Sequence, residues 1–167
     1  SLGLVGSEMC IRDSFGGFIP WNTELLLWVD PSQNLEVTGF AHGPAQSLHK
    51  SVKTVDELMA FAQEARFPEH HLVMRPDHED HPNIIKNIHD EPSLLQAFRQ
   101  LQGQSNSGLV FVENDLRAFC NPTRQDVIRQ ACEDLIRKLQ STCPQCQSPG
   151  FWAVSYTHLT LPTNREV

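Results

Sequence analysis

One short segment of the chain carries the side chains best suited to chemistry. It contains two acids, Glu113 and Asp115, and two arginines, Arg117 and Arg124. Carboxylates can act as a general base or hold a metal ion, and arginines clamp phosphate and carboxylate groups. All four side chains are therefore candidate catalytic residues. Arg117 and Arg124, together with Asn121, are candidate anion-binding residues.

The position of this segment favours a function. It follows Leu109–Val112, an apolar run typical of a buried strand. It precedes a helix for which Asn121 is the predicted N-cap and Pro122 the first residue. In open α/β sheets, strand ends and helix N-termini attract ligands, above all anions. A structural explanation stays open, because acids and arginines also pair with each other around a capped helix.

Two functional hypotheses follow from this segment. The first is a metal-dependent enzyme that acts on a phosphorylated or other anionic small molecule, with the acids as base or metal ligands. The second is a partner-binding module without catalysis, in which the same surface recognises another molecule.

Cys143 and Cys146 have the spacing of a zinc half-site. Two thiolates separated by Pro144 and Gln145 fit one side of a tetrahedral zinc site, and a zinc ribbon requires a second such pair. A redox role is less favoured, because a thioredoxin-like motif precedes a helix whereas this one follows a helix. A third interpretation is that the cysteines have no ligand. Zinc is therefore the expected cofactor, with Cys143 and Cys146 as its ligands.

Other histidines and cysteines give weaker signals. His78 and His81 could provide two metal ligands on a turn. Their stretch is bounded by prolines and highly charged, so a solvated loop is the better interpretation. Cys120 adjoins the candidate segment, but a cysteine nucleophile needs a nearby base, and the sequence shows none.

The candidate residues must be positioned by alternating strands and helices. The predicted strands are Glu24–Asp30, Leu35–Ala41, Leu72–Met74 and Leu109–Val112, and residues 43–53 are a predicted polar loop. Helices are predicted from Thr54, where Thr54 and Glu57 form a capping box, from Pro92 to the stop at Gly103, and from Pro122 to just before Cys143. This alternation predicts an α/β domain with a mixed sheet and helices packed on it. Half of a zinc-ribbon-like unit would follow at the C-terminus.

The two ends of the chain are related at the DNA level. One permitted codon string for Met9–Asp13 has a reverse complement that encodes Val154–His158. A single DNA element read in opposite orientations is typical of sequencing adapters, and such segments are set aside in an analysis of the fold. The expected division is adapter-encoded residues at 1–14, an incomplete α/β domain at 15–142, the first half of a zinc knuckle at 143–153, and adapter-encoded residues at 154–167.

Composition excludes some classes of function. The formal net charge is −7, which argues against general nucleic-acid binding, because that binding depends on neutralising phosphates with Lys and Arg. No apolar run approaches the roughly 18–20 residues that span a membrane. The cysteine usage suits a cytoplasmic protein. A small anionic ligand is compatible with all of these features.

The longest motifs resemble a bacterial family catalogued as domain of unknown function 6671. They are E-N-D-L-R-A-F-C-N-P-T-R, which ends at Arg124, and C-P-Q-C-Q-S-P-G, which begins at Cys143. The family pattern is close to E-T-D-M-R-A-H-M-N-P-T-R followed by C-P-x-C-x-x-P-G. Phe119 stands where that pattern has His, so a catalytic role at this position is disfavoured. The resemblance implies a soluble bacterial protein with a zinc-binding C-terminus, here a metagenomic fragment, and supplies no reaction.

Overall fold

The computed structural model describes residues 4–13, 20–145 and 147. Within them the chain forms two sheets, each with its own helices and hydrophobic core. The elements in chain order are β1 (Leu4–Asp13), β2 (Pro20–Asp30), β3 (Leu35–Pro44), β4 (His49–Val52), α1 (Val55–Glu64), β5 (Leu72–Pro76), β6 (Ile85–Ile88), α2 (Glu91–Gln104), β7 (Val110–Asn114) and α3 (Pro122–Gln140), with a short 3-10 turn at Ala118–Cys120.

The first unit is the antiparallel sheet β1-β2-β3 with α3 packed on it. The side chains of β2 and β3 alternate, so that Leu26 and Val37 are buried while Leu25 and Phe40 are exposed. The helix lies directly on β3, because a Cβ added to Gly39 would come within 2.4 Å of the backbone oxygen of Ala131. The core consists of Leu26, Val37, Ala41, Val127, Ala131 and Leu135.

Strand β1 pairs with β2 along its whole length, from Leu4 opposite Val29 to Asp13 opposite Pro20. It falls within residues 1–14, the segment that the codon relation assigns to adapter DNA. The adapter origin of that segment stays a prediction.

The second unit is the sheet β4-β7-β5-β6 with α1 and α2 against one face. The predicted cap by Thr54 is confirmed, since Glu57 N donates to Thr54 Oγ1 at 3.2 Å. The return bond comes from the preceding residue, because Lys53 N donates to Glu57 Oε2 at 2.7 Å. On β7, Val110 and Val112 join the core under the helices. Residues of the opposite parity, such as Glu113, therefore lie on the other face of the sheet.

The prediction of a mixed sheet is wrong: every strand pairing in the described part of the chain is antiparallel. Alternation of strands and helices along the sequence does not fix strand direction, which depends on where each strand inserts. Strand β4 forms inside the predicted loop 43–53, and β6 was not predicted at all. Both are four residues long and largely exposed, so neither shows an apolar pattern. Helix α2 also runs one residue beyond its predicted stop at Gly103.

The predicted zinc-ribbon unit lies at the edge of the described residues. Cys143 begins a turn after α3, in which Gln147 N donates to Cys143 O at 2.8 Å. Cys146 lies outside the described residues, so the unit stays a prediction. None of the described helices is both long enough and apolar enough to cross a membrane.

Candidate functional site

Residues 113–124 connect β7 of the second unit to α3 of the first, and we call them the junction segment. Backbone and side-chain hydrogen bonds hold it on both sides. Asp115 N donates to His71 O at 2.8 Å, and His71 N donates to Cys120 O at 2.9 Å. Asn121 Nδ2 donates to Gln46 O at 3.0 Å. The segment is therefore fixed where the two units meet.

An open pocket of about 300 Å³ lies beside the junction segment. Its lining consists of Val73, Arg75, Ile84, Lys86, Glu113, Asn114, Asp115, Leu116, Arg117 and Arg124. All four candidate catalytic residues are thus brought to one pocket. Arg75 and Lys86 were missed, because they lie on β5 and β6, and only the pairing of β5 with β7 and of β6 with β5 brings them to the same pocket as Glu113. No local motif around either cation signals this placement.

Asp115 and Arg117 form a bidentate ion pair within one turn of chain. Arg117 Nε donates to Asp115 Oδ1 at 2.9 Å, and Arg117 Nη2 donates to Oδ2 at 2.6 Å. Burial acts to raise the pKa of Asp115, but the hydrogen bonds from Arg117 and from Asn87 N outweigh it, and the pKa lies below its usual value. Asp115 is therefore a carboxylate at neutral pH. The guanidinium of Arg117 also lies 4.7 Å from the ring centre of Phe119, a cation–π contact.

Arg124 pairs with Glu24 of β2, a residue that the sequence analysis placed in an apolar strand without a role. Arg124 Nε donates to Glu24 Oε1 at 2.7 Å, and Arg124 Nη1 donates to Leu116 O at 2.8 Å. Asn22 Nδ2 donates to the same Glu24 oxygen at 3.1 Å. The Glu24 side chain is 0% exposed and that of Arg124 is 19% exposed. This buried pair ties the first sheet to the junction segment.

Glu113 pairs with Arg75 across the β5–β7 ladder. The structure records no ion pair for Lys86 in the described part of the chain. The pocket is thus lined by four cations and two acids, and the third acid, Glu24, lies buried behind Arg124. This leaves one surplus positive charge in the pocket of a chain whose net charge is −7. The local charge therefore favours an anion.

The N-terminus of α3 already has protein partners for its first amides. Thr123 N donates to His70 Nε2 at 3.3 Å, and Arg124 N donates to Asn121 Oδ1 at 3.1 Å. Gln125 N donates to Asn121 O at 3.0 Å. Asn121 is buried and lies outside the pocket lining. The structure thus gives Asn121 a capping contact, and its predicted anion binding stays a prediction.

The structure also places the remaining described candidates, His78, His81 and Cys120. Among the described residues, no group of three or more His, Cys, Asp and Glu side chains is placed to hold a metal ion. The rings of His78 and His81 lie 5.7 Å apart on the loop after β5. Cys120 is buried, and burial is the main reason that its pKa rises to about 11. It is therefore a thiol at neutral pH, and the neighbouring Asp115 carboxylate also raises its pKa.

Comparison with known proteins gives one match. Residues 11–164 match a family model described as "Domain of unknown function (DUF6671)". No curated protein and no solved structure matches the chain.

Proposed function

The chain belongs to the DUF6671 family, whose description names no activity, and from the geometry of its pocket we propose that it binds a small molecule carrying a phosphate or carboxylate group. The ligands would be Arg75, Lys86, Arg117 and Arg124. The observation that carries the proposal is the convergence of these four cations, from three separate parts of the chain, on one open pocket.

The ion pairs support binding because they hold the arginines in place before a ligand arrives. Asp115 fixes Arg117 through two donors, and Glu24 fixes Arg124 through one. A guanidinium has five N–H donors. The bonds from Arg117 to Asp115 use Nε and Nη2, which are two of the three guanidinium nitrogens. Fixed guanidinium groups match planar phosphate and carboxylate oxygens and lose little side-chain entropy on binding.

The pocket also has the size of a small-molecule site. Its volume of about 300 Å³ lies at the lower end of the roughly 300–1,000 Å³ typical of ligand pockets. Val73, Ile84 and Leu116 supply apolar walls. A compact phosphorylated or carboxylated metabolite fits this combination better than a long polymer.

Glu113 is the better of the two acids for a catalytic role. The pKa of Asp115 lies below its usual value because of the hydrogen bonds that it accepts, which makes it a weak base. Glu113 is partly exposed and contacts Arg75 alone among the recorded ion pairs of the described residues. If the protein is an enzyme, we propose Glu113 as the base and Arg117 and Arg124 as the groups that hold the anion.

We also propose that Cys143 and Cys146 bind zinc in the intact protein, within a cytoplasmic setting. The two-residue spacing fits tetrahedral thiolate coordination, and Cys143 lies in a hydrogen-bonded turn directly after α3. Two thiolates need further ligands to close the site, so zinc content per chain in an intact homologue, compared with its double Cys→Ser variant, tests this assignment.

The pocket proposal is tested by titrating the protein with inorganic phosphate, pyrophosphate and citrate in a calorimeter. Lys86→Gln and Arg117→Gln each remove one charge from the pocket. A hydrogen bond to a charged group contributes about 1.5–3 kcal/mol, so each variant should weaken binding at least tenfold.

Arg129→Gln is the matched control, because Arg129 lies on the exposed face of α3 and pairs with Asp126 and Glu133. It removes the same charge outside the pocket and should change the affinity less than twofold. Equal weakening by all three variants would mean that net charge, rather than this pocket, attracts the anion. No binding of any probe by the folded protein would also refute the proposal.

A further inference from the structure

Two histidines face each other at the end of the second sheet. The register that pairs Leu72 with Ile88 places His71 opposite His89. Their ring centres lie 5.4 Å apart, with an angle of 39° between the ring planes. His71 is partly buried and His89 is exposed, so the pair is open to solvent on one side.

One residue, Asn87, determines which ring nitrogen carries the hydrogen in both neutral imidazoles. His89 Nδ1 lies 2.9 Å from Asn87 O, a carbonyl that can only accept, so His89 Nδ1 carries the hydrogen. His71 Nδ1 lies 2.8 Å from Asn87 Oδ1. Cys120 Sγ lies 3.5 Å from the same Oδ1 and donates to it. In each neutral imidazole the lone pair is therefore on Nε2.

This arrangement is typical of metal-binding histidines. A ligating histidine almost always donates its other ring N–H to a carbonyl or carboxylate, which sets the tautomer and the orientation of the ring. Here a single residue, Asn87, does this for both rings. Asn87 has a positive φ of 59°, so its side-chain amide and its carbonyl are presented from an unusual backbone conformation next to β5.

The separation of the rings also suits a shared ion. Nε2 atoms at about 2.0–2.1 Å from a tetrahedral ion put the two ring centres about 5 Å apart, close to the 5.4 Å observed. Asp90 Oδ2 lies 3.6 Å from His89 Nε2 and adds a negative charge beside the pair.

We propose that His71 and His89 form a two-histidine site for a divalent transition ion of borderline softness, Zn²⁺, Ni²⁺ or Cu²⁺. Imidazole suits these ions. Since the described residues offer no set of three His, Cys, Asp or Glu ligands, water or a bound anion completes the coordination. The site is separate from the Cys143–Cys146 pair and does not depend on the anion pocket.

The test uses the full chain with Cys143→Ser and Cys146→Ser as background, so that the thiolate pair contributes nothing. Zn²⁺ and Ni²⁺ alone are titrated into it calorimetrically at pH 7.5. His71→Gln and His89→Gln should each weaken binding at least tenfold. The matched control His78→Gln/His81→Gln removes two other imidazoles and should leave the affinity within twofold.

The role of Asn87 gives a second comparison. Asn87→Gly tolerates the positive φ but removes Oδ1, and should weaken binding about tenfold, in the range expected for loss of an outer-shell partner. Asn87→Asp keeps an acceptor and should retain affinity. A purely structural histidine pair would show no such difference between the two variants.

A measurement on the Cys143→Ser/Cys146→Ser background itself guards against variants that fail to fold. Substoichiometric Cu²⁺ should broaden two histidine ring NMR signals first, of which one is absent in His71→Gln and the other in His89→Gln. Preferential broadening of the His78 and His81 signals would overturn the proposal. Unchanged Zn²⁺ and Ni²⁺ affinity in folded His71→Gln and His89→Gln would overturn it as well.

Discussion

Arg124→Met tests whether the buried pair with Glu24 stabilises the junction. Glu24 is 0% exposed, so removal of Arg124 takes one guanidinium away from a carboxylate inside the protein. Breaking a buried ion pair on one side costs about 3–5 kcal/mol. Against a typical total of about 5–15 kcal/mol, this is a large loss. It corresponds to a lowering of Tm by about 6–20 °C for a chain of this size.

The double variant Glu24→Gln/Arg124→Met separates charge from shape. Its neutral amide no longer needs a counter-ion and can still accept from Asn22 Nδ2, which donates to Glu24 Oε1 in the native protein. The remaining cost is the loss of the hydrogen bonds of Arg124, about 1–2 kcal/mol. The double variant should therefore be more stable than Arg124→Met, although it carries one substitution more.

The same two variants separate stability from binding. Both lack Arg124, so both should bind inorganic phosphate at least tenfold more weakly than the native chain, whatever their stability. Urea denaturation followed by the fluorescence of Trp21 and Trp28, which lie on β2, measures the first quantity, and calorimetry measures the second. Equal stability of the two variants would refute the counter-ion argument. Native phosphate affinity in the folded double variant would remove Arg124 from the proposed ligands.

Two further predictions concern the framework. Gly39→Ala should lower the free energy of unfolding by about 1–3 kcal/mol or more in urea denaturation, because the added Cβ would lie 2.4 Å from a backbone oxygen of α3. Gly103→Ala on α2 is the control, because a Cβ added there would have no atom within 4 Å. It should be neutral or stabilise the protein by up to about 1 kcal/mol. Hydrogen bonds from Ser105 and Ser107 hold the pKa of Asp77 well below its usual range. The stability that they provide is therefore complete above the unfolded pKa of about 3.9 and is lost as pH falls towards the folded value. Chemical denaturation between pH 7 and pH 3 should show the advantage of the native chain over Asp77→Asn shrinking at the acid end, and a constant difference would contradict this origin.

Local signals in the sequence predicted local structure well. Asn121 caps α3 as expected, through Arg124 N to its Oδ1, and Thr54 caps α1. Each depends on residues three positions apart, so the information lies within one turn of chain. Strand direction, and the fact that β4 and β6 are strands at all, depend on pairing between distant segments. The pattern of polar and apolar residues within such a short segment does not show with which segment it pairs.

The sequence predicted only those residues of the candidate site that lie close together along the chain. The four charged residues of the junction segment were found because they lie within twelve positions, whereas the partners of Glu113 and Arg124 come from far along the chain. Glu24 precedes Arg124 by 100 residues, and Arg75 reaches Glu113 only through the antiparallel register of β5 and β7. A buried acid inside an apolar strand is costly without a partner, and that cost is the one physical signal in the sequence that could have singled out Glu24.

A structural role and a binding role for the arginines are compatible in this fold. From the sequence they are alternatives, because acids of the junction segment would either pair with its arginines or leave them open. The structure divides the pairing instead: Asp115 holds Arg117, while Arg124 is held by Glu24 from another sheet. The two hydrophobic cores share no residue in the described part of the chain, and polar contacts join the units at the junction. The Glu24–Arg124 pair does so, and together with the Asp115–Arg117 pair it aims two guanidinium groups at one pocket. Lys86, which has no ion pair among the described residues, leaves the charge of that pocket positive.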